Sequence, residues 1–217
     1  GTESDTLSLT LYGTYYVDEW YVDLSFGYAQ YDYESVRNLP IASMMWSNQA
    51  LASDTDGDSL NYSIGGGYTQ LLKGWNADYS LHLNSVDATV DGYSEKGGSL
   101  ALNVSDQDVE SLQAVLSAQF SKAFSKDWGV IQPYGGIEIH QEFEDETRVV
   151  TASYKLDQGN NQFSFTSDDA DDTYFLISVG SSFVLSQGKQ LFVNLDHIAG
   201  LDDVDSNTLT AGIRFEL

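Results

Sequence analysis

Hydrophobic and polar residues alternate along most of this chain with a period of two. Between Thr6 and Val17, apolar residues such as Leu7 and Leu11 occupy odd positions, and threonines and serines occupy most even positions. Successive side chains of a strand point to opposite faces, so this pattern predicts a β-strand with one apolar and one polar face. The alternation recurs at Trp20–Asp32, Leu60–Tyr68, Ser111–Ser121, Ile131–Glu142 and Leu209–Leu217.

Two further segments, Tyr79–Val90 and Tyr174–Leu185, alternate less cleanly, and a shift of phase near Ser85 predicts a β-bulge. The pattern gives about nine strands, each near or above the ~9–11 residues that cross a bilayer at a tilt. We therefore predict an all-β fold, an antiparallel transmembrane β-barrel, with residues 1–217 as a single domain.

Short and long connections take turns along the chain. Short turns are predicted at Asp18-Glu19, Leu72–Gly74, Ser125–Asp127 and Ser186–Lys189, and long polar connections at Glu34–Asp58, Ser94–Asp108, Glu144–Asp172 and Leu201–Asn207. Outer-membrane barrels have short periplasmic turns and long extracellular loops, so this asymmetry favours that class. Trp20, Trp75 and Trp128 each follow a short turn, as a periplasmic aromatic girdle requires, although the same residues would also suit a sandwich core.

The short turns also set the strand directions. The first strand leads into a short turn and descends towards the periplasm, and with nine strands the last one descends as well. Single-chain bacterial barrels have even strand numbers, and an open sheet edge is costly in lipid. We therefore expect further strands before Gly1, which makes this segment a barrel lacking its N-terminal strands.

Composition narrows the function. The chain carries 33 Asp+Glu against 9 Lys+Arg, a net charge of -24, which argues against nucleic acid as a partner. With no cysteine, neither disulfides nor thiolate metal sites can form. No apolar run approaches the roughly 18–20 residues of a spanning helix.

Charged residues on the predicted inner face are candidates for chemistry. They are Asp23, Asp78, His82, Glu138, His140, Asp196, Arg214 and Glu216. Nothing in their spacing specifies a nucleophile, so we interpret them as solvated residues of a wet lumen and expect no catalytic residues, no cofactor and no metal. The acidic run Asp54–Asp58 lacks the glutamate of a complete calcium loop, and the apolar part of Asn38–Ala50 suggests local packing or a small plug.

Several motifs resemble the autotransporter β-domain family. They are Asp91–Glu95, Ser111–Gln113, Asp127–Tyr134, Glu142-Phe143, Gly200–Asp203 and Leu209–Leu217, and the resemblance covers residues 58–217. It implies the last nine strands of a twelve-stranded barrel in the outer membrane of a Gram-negative bacterium, which anchors and exports an N-terminal passenger by type V secretion. No cleavage residue is carried over from the family.

The final strand resembles the sorting signal that the barrel-assembly machinery reads. Ile213, Phe215 and Leu217 alternate towards its end, with Leu217 in place of the commoner Phe. The expected partners are outer-membrane lipid, the assembly machinery and the chain's own passenger. Two alternatives stay open: a porin-like channel or small outer-membrane barrel enzyme, and a soluble all-β binding module.

Overall fold

A computed structural model of the protein describes residues 1–39, 49–144, 147–159, 161–167, 171–185, 188–202 and 206–215. Its strands are β1 (Thr2–Val17), β2 (Trp20–Leu39), β3 (Gln49–Leu72), β4 (Trp75–Val90), β5 (Tyr93–Ser94), β6 (Leu102–Val104), β7 (Gln107–Ser121), β8 (Phe124–Lys126), β9 (Gly129–Glu142), β10 (Val149–Tyr154), β11 (Gln162–Thr166), β12 (Thr173–Leu185), β13 (Lys189–Ala199) and β14 (Ser206–Phe215). No helix in these ranges has the length and hydrophobicity to cross a bilayer.

The main sheet is antiparallel and curled into part of a barrel. Its nine principal strands follow the order β1-β2-β3-β4-β7-β9-β12-β13-β14, and the short strand β8 pairs with β9. Each strand pairs with the next through long, continuous registers, for example Val17↔Trp20 to Thr2↔Ser35 between β1 and β2. The predicted fold class and the approximate strand number are confirmed.

The apolar face of this sheet is the exposed one. Leu24, Leu116 and Ile213 expose 56%, 53% and 62% of their surface, whereas Ser25 and Gln113, on the opposite face, are partly buried. A soluble sandwich would bury these three side chains between two sheets. An exposed apolar wall around a polar interior is instead the arrangement of a barrel surrounded by lipid.

Two local expectations are wrong. Strand β4 pairs with β3 without interruption from Val90↔Gly57 to Trp75↔Leu72, so the bulge predicted near Ser85 does not form. The phase of hydrophobicity shifts there while the backbone register continues. The turn predicted at Ser125–Asp127 lies at Asp127-Trp128, because Phe124–Lys126 forms β8, and Trp128 therefore belongs to the turn itself.

The long connections contain more strand than predicted. Strands β2 and β3 extend to Leu39 and back from Gln49, so most of the predicted loop 34–58 is a paired hairpin. The acidic run Asp54–Asp58 lies within β3 and is not a loop. The proposed plug residues Ile41, Met44, Met45 and Trp46 lie outside the described residues.

Two of the other three long connections build a second sheet. Strands β5 and β6 come from one connection, β10 and β11 come from the other, and they pair in the order β11-β10-β6-β5. This sheet meets the end of β3, where Ala52 and Lys96 form an isolated bridge. We call it the extracellular sheet, because it stands at the end of the main sheet opposite the short turns, which the sequence predicts to be periplasmic.

The most completely buried large side chain of the described residues lies at this junction. Leu51 has no exposed surface, and Ala101 and Ala152 expose 2% and 4%. In a barrel wall one face meets lipid and the other meets water, so a dry protein core forms where the extracellular sheet packs against β3.

Candidate functional site: the polar face of the barrel wall

The polar face carries a row of residues that crosses five strands at one level. Cross-strand pairing places Asp23 opposite Gly65, Gly65 opposite His82, His82 opposite Val115, and Val115 opposite His140. Three of the predicted inner-face residues, Asp23, His82 and His140, therefore lie at the same height on the wall. Period-two alternation placed them on one face, but only the registers bring them to the same height.

Glycine at the centre of this row lets Asp23 and His82 meet. The Nε2 atom of His82 lies 3.4 Å from Oδ2 of Asp23, two strands away, and Thr14 Oγ1 donates to the other carboxylate oxygen at 2.6 Å. A Cβ on Gly65 would lie 2.0 Å from the His82 ring. Any larger residue at position 65 would therefore displace the imidazole.

A second bridge crosses the same glycine-rich stretch of β3. Tyr21 Oη donates to Oδ1 of Asp78 at 3.0 Å, and Thr69 Oγ1 donates to Oδ2 at 2.7 Å. The tyrosine ring passes over Gly67, where a Cβ would lie 2.3 Å from its Cζ. Both β2–β4 bridges therefore depend on the absence of side chains in β3.

Glu138 and His140 form the other pair of ionisable side chains on the polar face. His140 Nε2 lies 3.1 Å from Oε2 of Glu138, its Nδ1 lies 3.0 Å from Oε1 of Gln113, and its ring stacks on Tyr174 at 4.4 Å between centroids. Both ring nitrogens are thus engaged by polar side chains. A pocket of about 340 Å³ separates this pair from His82 and is also lined by Ser117.

The third bridge lies on the same polar face, between strands β9 and β13. Tyr134 Oη donates to Oδ1 of Asn194 at 2.9 Å, across Gly180 of the strand between them. Oδ1 and Oδ2 of Asp196 accept from Ser178 Oγ and Asn194 Nδ2, both at 2.5 Å. The carboxylate of Asp196 is therefore held by neutral hydrogen-bond donors.

The remaining predicted site residues lie elsewhere. Arg214 is exposed on the edge strand β14, opposite Gln190, and Glu216 and Leu217 lie outside the described residues. The candidate girdle residues Trp20, Trp75 and Trp128 are 61%, 42% and 48% exposed. Ile213 and Phe215, of the candidate assembly signal, are each 62% exposed and lie on the same face of β14.

Sequence reasoning missed the partners that hold these charges. Tyr21, Gln113, Tyr134 and Asn194 all fall on the polar phase of their strands, which was the available signal. Their pairings join residues as much as 60 positions apart and depend on the register of several strands. Such contacts are invisible to a one-dimensional pattern.

The carboxylates of the polar face are held by hydrogen bonds. Within the ranges that the structure describes, no three His, Asp or Glu side chains are grouped to hold a metal ion. The carboxylates accept hydrogen bonds from hydroxyl, amide and imidazole groups, which suits a polar surface in contact with water.

A separate ionic contact fixes the extracellular sheet. Arg37 donates from Nε to Oε1 of Glu95 at 2.8 Å and from Nη2 to Oε2 at 2.5 Å, and the Leu102 N–H also donates to Oε2. Burial raises the pKa of Glu95, but these hydrogen bonds outweigh burial and hold the pKa below its ordinary value. The pair ties the β2–β3 hairpin to the chain that leads into β6.

Comparison with known families identifies the chain. The model of the autotransporter β-domain family matches residues 1–196. The chain belongs to the autotransporter β-domain family. The family resemblance seen in the sequence is confirmed, and with it the location in the bacterial outer membrane and the role of a translocator barrel.

Solved autotransporter structures are similar to this β-domain. The translocator domain of the autotransporter NalP from Neisseria meningitidis has a TM-score of 0.61 at 14% identity, over 100% of this chain and 68% of that one. The transport unit of the autotransporter AIDA-I from Escherichia coli has a TM-score of 0.36 at 17% identity, over 100% and 84%. A search of curated proteins found no match.

Proposed function

We propose that the polar face of the sheet is the inner wall of a water-filled channel, along which the passenger leaves as an extended chain. The observation that carries this proposal is the separation of the two faces. Exposed residues such as Leu24 and Leu116 form an apolar wall, and Asp23, His82 and Glu138 line the opposite face. A moving polypeptide exposes backbone N–H and C=O groups, and a hydrated polar wall lets them stay solvated.

The bridges over Gly65, Gly67 and Gly180 support the same role. Their side chains bond to one another along the wall, which leaves the wall polar but firmly held. Charges fixed in this way give a passing chain no strong attachment point. We infer that the eight candidate inner-face residues, Arg214 and Glu216 included, keep the lumen wet.

Site-specific photo-crosslinking during secretion tests the proposal. A photoreactive amino acid at Ser25 or Gln113, on the polar face, should form adducts with the passenger. The same group at Leu24 or Leu112, one residue away on the apolar face, is the matched control and should not. Equal adduct yields from the two faces would overturn the channel assignment.

The sheet also needs neighbours at its edges. Strands β1 and β14 end the strand order, so each has one edge that no described strand covers. Unsatisfied backbone groups cost several kcal/mol each in lipid. We propose that further strands pair with these two edges and close the barrel around the polar face.

Membrane anchoring and assembly involve the outer surface. We propose that Trp20, Trp75 and Trp128 lie at the periplasmic interface of the membrane, where indole rings combine apolar contact with a hydrogen bond. We also propose that the assembly machinery reads Ile213, Phe215 and Leu217, and that the passenger precedes the barrel in the same chain.

We propose transport without catalysis. His140 is engaged at both ring nitrogens, and His82 faces the carboxylate of Asp23, whose other oxygen accepts from Thr14. The hydrogen-bonding atoms of these side chains are occupied by neighbours in the wall. Asp23→Asn and Glu138→Gln should therefore leave the release or retention of the passenger unchanged.

A further inference from the structure

The few basic residues of this acidic chain are concentrated at the rim of short turns. Four of the six lysines, Lys73, Lys122, Lys126 and Lys189, lie in or beside the periplasmic turns. Segments 71–76 and 121–129 together hold three lysines and one acid, Asp127, although Asp and Glu outnumber Lys and Arg by 33 to 9 in the whole chain. The local charge is opposite in sign to that of the chain.

Three of these lysines form one patch with aromatic rings on the outer face of the wall. The ammonium group of Lys122 lies 5.5 Å from the ring centroid of Trp75 and 5.4 Å from that of Phe124. Trp75 shares its face of β4 with the exposed apolar residues Tyr79 and Leu81. Lys122 therefore stands on the membrane side of the wall, at the level where the apolar belt ends.

The neighbouring turns extend the patch. Lys73 is exposed in the turn before Trp75, and Lys126 is exposed two residues after Phe124 on the same side of β8. We call Lys73, Lys122 and Lys126, with Trp75, Phe124 and Trp128, the basic rim. At the far end of the same face, Asp32 and Asp56 stand directly opposite each other across β2 and β3.

We propose that the basic rim binds the phosphate groups of anionic phospholipid in the periplasmic leaflet of the outer membrane. Aromatic rings settle at the headgroup level of a bilayer, and ammonium groups beside them reach the phosphates. The Asp32–Asp56 pair at the extracellular end repels the same phosphates, so the outer wall has a preferred orientation. This inference rests on the proposed membrane-spanning role and adds the leaflet and the lipid charge.

Stability in vesicles of defined composition tests this binding. The full-length protein is folded into phosphatidylcholine vesicles with and without phosphatidylglycerol, and the ratio of folded to unfolded protein is measured at fixed urea. Phosphatidylglycerol should raise this ratio. The variant K73Q/K122Q/K126Q should lower the ratio in phosphatidylglycerol vesicles by up to about a hundredfold, since each of the three lysines near an anionic surface contributes about a factor of five.

Two controls separate position from charge. K96Q/R148Q/K155Q makes the same change in net charge in and beside the extracellular sheet and should keep the gain, and K73R/K122R/K126R should keep it because the charge stays. An equal loss in the rim and control variants would overturn the proposal. If the rim variant does not fold, the unmutated protein is measured at low salt and at ~1 M NaCl, where the Debye length is about 3 Å. The high salt should abolish the gain from phosphatidylglycerol. A gain that persists in high salt would overturn the proposal.

The outcomes distinguish this inference from the proposed function. Insertion into both kinds of vesicle with equal stability would contradict lipid-phosphate binding and leave the barrel assignment intact. Failure to insert into either kind would contradict the membrane-spanning role itself.

Discussion

Tyr134 and Asn194 are joined by a hydrogen bond of 2.9 Å although their strands, β9 and β13, are not neighbours. Strand β12 runs between them, and the tyrosine reaches across it at Gly180. A Cβ at this position would lie 2.6 Å from the Cζ and Oη atoms of Tyr134 and 2.6 Å from the backbone oxygen of Val193. The bond therefore depends on this glycine as much as on its two partners.

Gly180→Val should destabilise the barrel by about 1–3 kcal/mol, the usual cost of forcing extra methyl groups into a filled space. The measurement is the urea concentration at which half of the protein is unfolded in vesicles. The folded fraction is read from the difference in gel migration between heated and unheated samples. Gly13→Val is the control, because nothing lies within 4 Å of a Cβ built on Gly13. Equal midpoints for the two variants would mean that Tyr134 does not need the space over Gly180.

A charge on the lipid face should be far more costly than the same charge on the polar face. Leu24 and Ser25 are adjacent in β2 and point to opposite sides of the wall. Leu24→Arg should lower stability in vesicles by about 2–4 kcal/mol if it lies near the bilayer centre, whereas Ser25→Arg should change it by well under 1 kcal/mol. The opposite ranking in urea titrations would reverse the assignment of the two faces.

The alternation predicted this wall because each strand of a barrel meets two different solvents. Leu24 must face lipid and Ser25 must face water, so every residue within the membrane is constrained by type. Beyond the bilayer both faces of the sheet meet water and the constraint ends. The run Asp54–Asp58 shows the consequence: it has no apolar face and was predicted as a loop, yet it pairs with β2 through backbone hydrogen bonds that need no particular side chain.

From the sequence, the candidate site could be predicted only as a set of residues on one face of the sheet. Period two assigned Asp23, His82 and His140 to the inner side, and that is as far as a local pattern reaches. Their shared height arises from registers that link five strands. The bridges over glycine bring together residues such as Tyr21 and Asp78, which are 57 positions apart in the chain. The extracellular sheet pairs strands from two distant connections, and neither connection contains a repeat or a turn signal that predicts this pairing.

The ion pair between Arg37 and Glu95 should stabilise the extracellular sheet. Glu95 keeps 7% of its side-chain surface exposed and Arg37 keeps 39%. Removing one partner of a fully buried pair costs about 3–5 kcal/mol, and solvent at Arg37 lowers that figure to about 2–3 kcal/mol for Arg37→Met. Faster hydrogen exchange at the backbone amides of β5 and β6, with the barrel strands unchanged, is the expected result.

Lys96→Met provides the matched control for this pair. Lys96 contacts Asp54 at 2.9 Å, but the two side chains are 67% and 76% exposed. Exposed pairs of this kind contribute about 0–1 kcal/mol. Equal effects of Lys96→Met and Arg37→Met on exchange would show that burial of Glu95 adds nothing to the stability of the sheet.

Acid should loosen the same sheet through Glu95. Its hydrogen bonds with Arg37 and Leu102 hold the pKa of the folded form below the ordinary value. A carboxyl group with a lowered folded pKa contributes stability above its unfolded pKa of about 4.3, and this contribution is lost as pH falls through the folded pKa. The Leu102 amide, which donates to Oε2 at 2.9 Å, should report that loss as an NMR chemical-shift transition with a midpoint below about 4.3. Glu95→Gln should abolish the transition, and a midpoint at or above the ordinary glutamate value would contradict the dominance of the hydrogen bonds over burial.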